Sequence, residues 1–170
     1  FSIFPILINY GTKTVPPLFL AGITTLIASP LILIQLILTG KLKELLNPKT
    51  LFYSSVIALF IVILPSIFIF KGTQLTSSIN TAILLQMEIV FALPICALMG
   101  SEKITKARIL TSFLVLLGGT LVLYKSDLKI NLGDLLIVIG TLIYPIGSVY
   151  TKRAFKICSA TTILFMRTFL

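Results

Sequence analysis

Histidine is missing from the 170 residues, which removes histidine metal sites, Ser-His and Cys-His nucleophile pairs and histidine general bases. Only two cysteines occur. Cys96 sits inside an apolar run and Cys158 beside one, so there is no zinc spacing and no redox CxxC, and both read as small packing residues. Charge is scarce: 11% of residues are charged, against roughly 25% in a soluble domain. No GxxxxGK followed by Ser or Thr is present, so there is no phosphate-cradling loop for ATP. No signal peptide with a small-residue cleavage site is visible. No cofactor and no metal are expected.

What the chain has is apolar length. Hydrophobic residues make up 57% of it and its mean hydropathy is +1.11. A soluble core of this size cannot hide so much apolar surface, whereas a bilayer can. The net charge of +9 would suggest nucleic acid in a soluble protein. Here the basic residues fall between apolar runs and read as topology signals, with no cluster denser than Lys152, Arg153 and Lys156. The chain opens on Phe1 and closes on Leu170 inside an apolar segment, so it is expected to be a fragment of a longer protein.

A membrane helix needs about 20 mostly apolar residues. Seven segments qualify, the first and last truncated: 1–10, 16–38, 51–70, 79–99, 109–124, 132–150 and 159–170. The loops at 40–50, 100–108 and 151–158 hold nine basic residues, against four (Lys13, Lys71, Lys125 and Lys129) on the other side. The positive-inside rule puts the three basic loops in the cytoplasm. The first span then runs from inside to outside.

Ile3-Phe4-Pro5-Ile6 in the first span matches Ile143-Tyr144-Pro145-Ile146 in the sixth, with Tyr10 and Lys13 opposite Tyr150 and Arg153. The two copies lie an odd number of spans apart, so the second must be inverted. Inverted repeats with prolines in their spans are a signature of secondary transporters. Pro5, Pro30, Pro65, Pro94 and Pro145 all fall within spans, where each permits a kink. Gly133, Gly140 and Gly147 recur every seven residues and predict a close helix approach.

Glu88 is the most informative residue. It lies midway along the fourth span, where a carboxylate costs about 2.5–3.5 kcal/mol on insertion scales unless paired, protonated or wet. At about 100° per residue, Ser77, Thr81, Glu88, Ala92 and Ile95 share one face, a polar and small stripe suited to a cavity. A structural carboxylate bonded to a neighbouring helix is the alternative. Arg167 lies well inside the seventh span. Either it faces the same cavity and pairs with Glu88, drawing an anionic group of a substrate, or it snorkels to the cytoplasmic surface. Asn9, Tyr10, Asn80, Thr141, Tyr144 and Ser148 are lesser candidates, for substrate contact or for interhelical hydrogen bonds. Asp134 and Glu102 sit at span ends and read as interfacial.

The run Thr76-Ser77-Ser78-Ile79-Asn80-Thr81 through Gln86-Met87-Glu88-Ile89-Val90-Phe91, then Gly100-Ser101-Glu102-Lys103-Ile104-Thr105 and Gly118-Gly119, resembles the fourth and fifth spans of drug/metabolite transporters with the EamA domain. The stretch from Gly133-Asp134 to Lys152-Arg153 resembles that family's sixth span, and Arg167 falls where its seventh span often has an Arg. Ser101, Ile89 and Ser112 depart from the family's usual residues, and the second span lacks its frequent Arg. The resemblance implies an all-α integral membrane bundle of ten spans in two inverted five-span repeats. Residues 1–125 would be the first repeat and 130–170 the start of the second. It implies a secondary transporter of a small metabolite in the cytoplasmic membrane, working by alternating access with proton or exchange coupling. The substrate and cavity residues would be Glu88, Arg167, Thr81, Asn9, Tyr144 and Ser148. A multidrug or cation exporter is the alternative. A membrane scaffold stays open, and a membrane-embedded enzyme is disfavoured by the lack of histidine and of clustered acids. The expected partners are a small-molecule substrate and the lipid bilayer, not nucleic acid, with a homodimer left open.

Overall fold

A backbone in hydrocarbon has no water to bond, so each crossing segment must close its hydrogen bonds within itself. The chain does this with helices. The computed structural model describes residues 4–100, 104–124 and 131–169, and among these it has seven helices. They are α1 (Phe4–Thr14), α2 (Pro17–Leu38), α3 (Pro48–Leu75), α4 (Ser78–Leu98), α5 (Lys106–Tyr124), α6 (Leu132–Ala154) and α7 (Ala160–Phe169). Four of them, α2, α3, α4 and α6, are long and apolar enough to cross a membrane. Ile3, Glu102, Lys103, Lys125 and Lys129, together with the junction between the two expected repeats, lie outside the described residues.

The helix ends follow local chemistry. Pro17 and Pro48 occupy first-turn positions, where a missing N–H costs nothing. The Asn47 side chain accepts the Lys49 N–H, and Ser77 accepts the Asn80 N–H. Asn131 and Asp134 form a reciprocal capping box on α6. Gly40 ends α2 with φ 66°, and the N–H groups of Gly40 and Lys41 close onto Ile37 O and Leu36 O in a Schellman pattern. The third helix is longer than the apolar run 51–70 and carries a π segment over Ala58–Ile63. Pro65 follows it: with no N–H, Pro65 cannot serve the carbonyls one turn back, and the Leu64 N–H reaches Leu59 O instead.

Apolar side chains face outward as well as inward. Leu26, Ile27, Leu31 and Leu38 on α2 are each more than 60% exposed, which suits lipid rather than water. Inside, α6 is the central element and packs along both α3 and α4. Its glycines form the seam with α3. A Cβ on Gly133 would stand 2.6 Å from Gly72 O, and one on Gly140 would meet Ile69 Cγ1 at 2.9 Å; at Gly147 the obstacle is Ile61. The helices α1 and α2 cover the outer part of α3, while α7 packs on α2 and α3.

The two ends of the bundle are chemically different. At one end, Arg153 Nη2 donates to Met99 O, and Glu44 in the 3-10 turn Leu42–Leu46 reaches Ser159 and Thr162. The loops expected to be cytoplasmic therefore gather at one end. At the other, Asn9 Nδ2 donates to Thr73 O and Thr76 O, Gln74 Nε2 to Thr12 O, and Thr76 Oγ1 to Asp134 Oδ1 at 2.6 Å. These contacts make α1 and α6 antiparallel.

Candidate functional site

Glu88 stands at the midpoint of α4. It opens onto a cavity of about 340 Å³ between α4, α5 and α6. From α4 the wall takes Glu88, Ala92 and Cys96, one helical turn apart, with Ile89 and Leu93 beside them. From α5 come Arg108, Thr111 and Ser112, and from α6 Ser148 and Lys152. The cavity thus runs from mid-membrane depth to the basic end of the bundle. Its wall carries one carboxylate, two cations and three hydroxyls on an apolar background. Arg108 and Lys152 are engaged by neighbouring groups.

Arg167 lies elsewhere. It lines a second cavity of about 340 Å³, between α2, α3 and α7, with Thr25, Ser66 and Thr168 as the other polar side chains. The α3 residues beside it, Val62, Ile63, Ser66 and Ile67, straddle the centre of that helix, so this cavity lies at mid-height in the bundle. Its neighbours there are the middle of α3 and the first turns of α2, not the basic loops to which a snorkelling side chain would reach. The expected Glu88–Arg167 pair is corrected. The two residues line different cavities, and no ion pair joins them among the described residues. The reason is topological: Glu88's helix packs on α5 and α6, whereas α7 packs on α2 and α3. Tyr144, half-buried at the centre of α6, lies within Coulombic reach of both charges and packs against the core cluster of Ile57, Ile61, Ala154, Cys158 and Ile163.

The remaining predicted residues divide. Ser148 shares the Glu88 cavity. Thr81 is fully buried and returns its hydroxyl to Ser77 O, so the stripe on α4 serves the cavity only from Glu88 inward and continues to Cys96, not Ile95. Asn9 is buried, with its amide donors on the last carbonyls of α3, a capping role. Tyr10 is 74% exposed, Asn80 donates to Thr76 Oγ1, and Thr141 returns its hydroxyl to Val138 O. Asp134 is at a span end as expected, but buried in its hydrogen bonds.

Sequence reasoning missed Arg108, Thr111, Ser112, Lys152 and Cys96 as cavity residues. The signal was present in part: Arg108, Thr111 and Ser112 have i, i+3, i+4 spacing on the first turns of α5.

Outside the membrane, Glu44 Oε2 accepts the Ser159 N–H at 2.8 Å, the Ser159 hydroxyl at 2.9 Å and the Thr162 hydroxyl at 2.6 Å. The Thr162 hydroxyl, then the Ser159 N–H, hold the Glu44 carboxyl below its ordinary range, against the opposing effect of its partial burial. A capping box normally takes its carboxylate from three residues ahead; here a distant loop supplies it.

Comparison with known proteins gives one match. The model of the EamA-like transporter family matches residues 1–124. Among curated proteins and among solved structures none matches the chain.

Proposed function

The chain belongs to the EamA-like transporter family, and from that premise we propose a secondary transporter that moves a small metabolite across the cytoplasmic membrane by alternating access, with Glu88 taking up and releasing a coupling proton. Membership makes it a multi-span membrane protein for transport and not an enzyme. The coupling role rests on one observation: the cavity onto which Glu88 opens at mid-depth runs, among the described residues, toward the basic end. At the other end, Asn9, Asn131 and Asp134 are hydrogen-bonded at Thr76, and none of them lines this cavity. A titratable group reachable from one side at a time is what a coupled carrier requires. A carboxylate in hydrocarbon is affordable when it can be neutral or wet, and this cavity allows either.

Residues 1–125 are read as one five-span repeat and 130–170 as the start of an inverted second. The family match ending at residue 124 and the antiparallel course of α1 and α6 support this. A cation exporter is the second reading, and Glu88 favours it. Arg108 and Lys152 in the same wall weigh against it, since two cations lining the cavity repel a third.

Flux of a metabolite panel into proteoliposomes, at several pH values, tests the reading. Glu88→Gln, correctly inserted, is expected to lose pH-dependent flux. Unchanged flux with unchanged pH dependence would remove the coupling role.

A further inference from the structure

Arg167 is a cation lining a cavity at mid-height in the bundle, and among the described residues it makes no hydrogen bond and no ion pair; its Nε is buried without a partner. Such a charge is costly to keep in hydrocarbon unless an anion meets it. Among the described residues, the lining of the cavity it faces contains no carboxylate. Of its three hydroxyls, two already have their protons placed: Thr25 donates to Gly22 O at 2.8 Å and Thr168 to Leu164 O and Phe165 O at 2.9 Å. The Ser66 hydroxyl has no such partner among the described residues. The donors left facing the cavity are the guanidinium and Ser66 Oγ. The rest of the wall is apolar: Leu18 and Leu26 from α2, Val62, Ile63 and Ile67 from α3, and Phe169. Gly22 leaves space on the α2 side, with nothing within 4 Å of where its Cβ would lie.

We propose that the cavity between α2, α3 and α7 binds a small monocarboxylate with an apolar body. The Arg167 guanidinium and the Ser66 hydroxyl hold the carboxylate, and the α2 and α3 side chains cover the rest. A planar guanidinium edge matches two carboxylate oxygens, and Ser66 adds a third donor. The apolar walls select against inorganic anions, which would lose hydration there without compensation. About 340 Å³ is at the small end of ligand pockets, which suits a molecule of a few carbons rather than a drug-sized one. The inference deepens the transporter reading and rests on it in one respect only, that the bound anion is cargo.

Equilibrium binding of radiolabelled isovalerate to the full chain in lipid nanodiscs is the test, because it reads the site without requiring flux. Wild type is expected to bind it saturably. Arg167→Gln should weaken binding at least tenfold, with Arg167→Lys intermediate. Gly22→Leu, whose Cβ meets nothing within 4 Å and whose branched end takes up cavity space, should abolish it, so the test does not depend on the arginine variant folding. Isovaleramide, the same shape without charge, and inorganic phosphate should both fail to compete. Glu88→Gln should keep isovalerate binding while losing pH-dependent flux. Absence of saturable binding, binding indifferent to Arg167→Gln and Gly22→Leu, or competition by isovaleramide or phosphate would overturn the site. Binding that obeys the expected pattern alongside unaltered flux in Glu88→Gln would keep the site and remove the coupling role.

Discussion

Replacing Gly133 by alanine probes the α3–α6 seam where it brings backbone against backbone. The new Cβ would stand 2.6 Å from Gly72 O and 2.8 Å from Leu75 Cβ, about 0.8 Å short of the 3.4 Å at which ordinary contact begins. The obstacle is backbone, so it cannot rotate away and the helices must separate. Overpacking of this kind costs about 1–3 kcal/mol, and a backbone obstacle belongs at the upper end. Alanine recovers about 1 kcal/mol of helix propensity over glycine. The net expectation is a loss of about 2 kcal/mol. Gly72→Ala meets the same crossing from the other side, 2.7 Å from Gly133 O, so the double variant should cost clearly less than the two single losses together. Gly118→Ala on α5 is the control, because nothing lies within 4 Å of its Cβ; it should be neutral or mildly stabilising. Unfolding by SDS titration, followed by helical circular dichroism in mixed micelles, gives the four values. Gly133→Ala within about 0.5 kcal/mol of wild type, or Gly118→Ala equally costly, would refute the account of the seam.

Glu44 predicts a pH dependence with a definite sign. Its carboxyl is depressed by its hydrogen bonds to Thr162 and Ser159, so its contribution is present above the ordinary carboxyl value of 4.5 and is lost as pH falls through the depressed one. Melting temperatures from pH 7 downward should fall more steeply for wild type than for Glu44→Gln, and parallel curves would rule this out. Thr76→Val removes the hydroxyl that donates to Asp134 and accepts from Asn80 and Asn131; it should cost about 1–2 kcal/mol, with Thr76→Ser near neutral, and equal losses would show that shape rather than the hydroxyl matters. With Cys96 and Cys158 replaced, Lys43→Cys and Lys71→Cys should react with an impermeant maleimide from opposite sides of the membrane. Both side chains are exposed, at opposite ends of the bundle, and same-side labelling would overturn the orientation.

Much of this protein follows from its sequence alone. Lipid obliges a crossing backbone to satisfy itself within one segment, so apolar runs bounded by loops already specify helices and their approximate ends. All seven expected segments coincide with helices, to within a few residues. The loop charges sort into two sets, and those among the described residues lie at opposite ends of the fold. The heptad of Gly133, Gly140 and Gly147 foretold a close approach, because small residues at that spacing share one helix face. Local pattern could not say which helix would fill that face. That choice belongs to tertiary structure, and it settles the surroundings of the charges. With α3 against the glycine seam of α6, α7 lies beside α2 and α3, and Arg167 enters a cavity from which Glu88 is absent. Glu88 shares its cavity wall with Arg108 and Lys152 instead, residues that in sequence are only loop charges. Glu44 caps a helix 115 residues away, a relation no periodicity encodes. Hydropathy and span length are properties of one segment read against a uniform solvent. Which way each polar side chain turns, and what it meets, depends on the rotation of every helix against its neighbours.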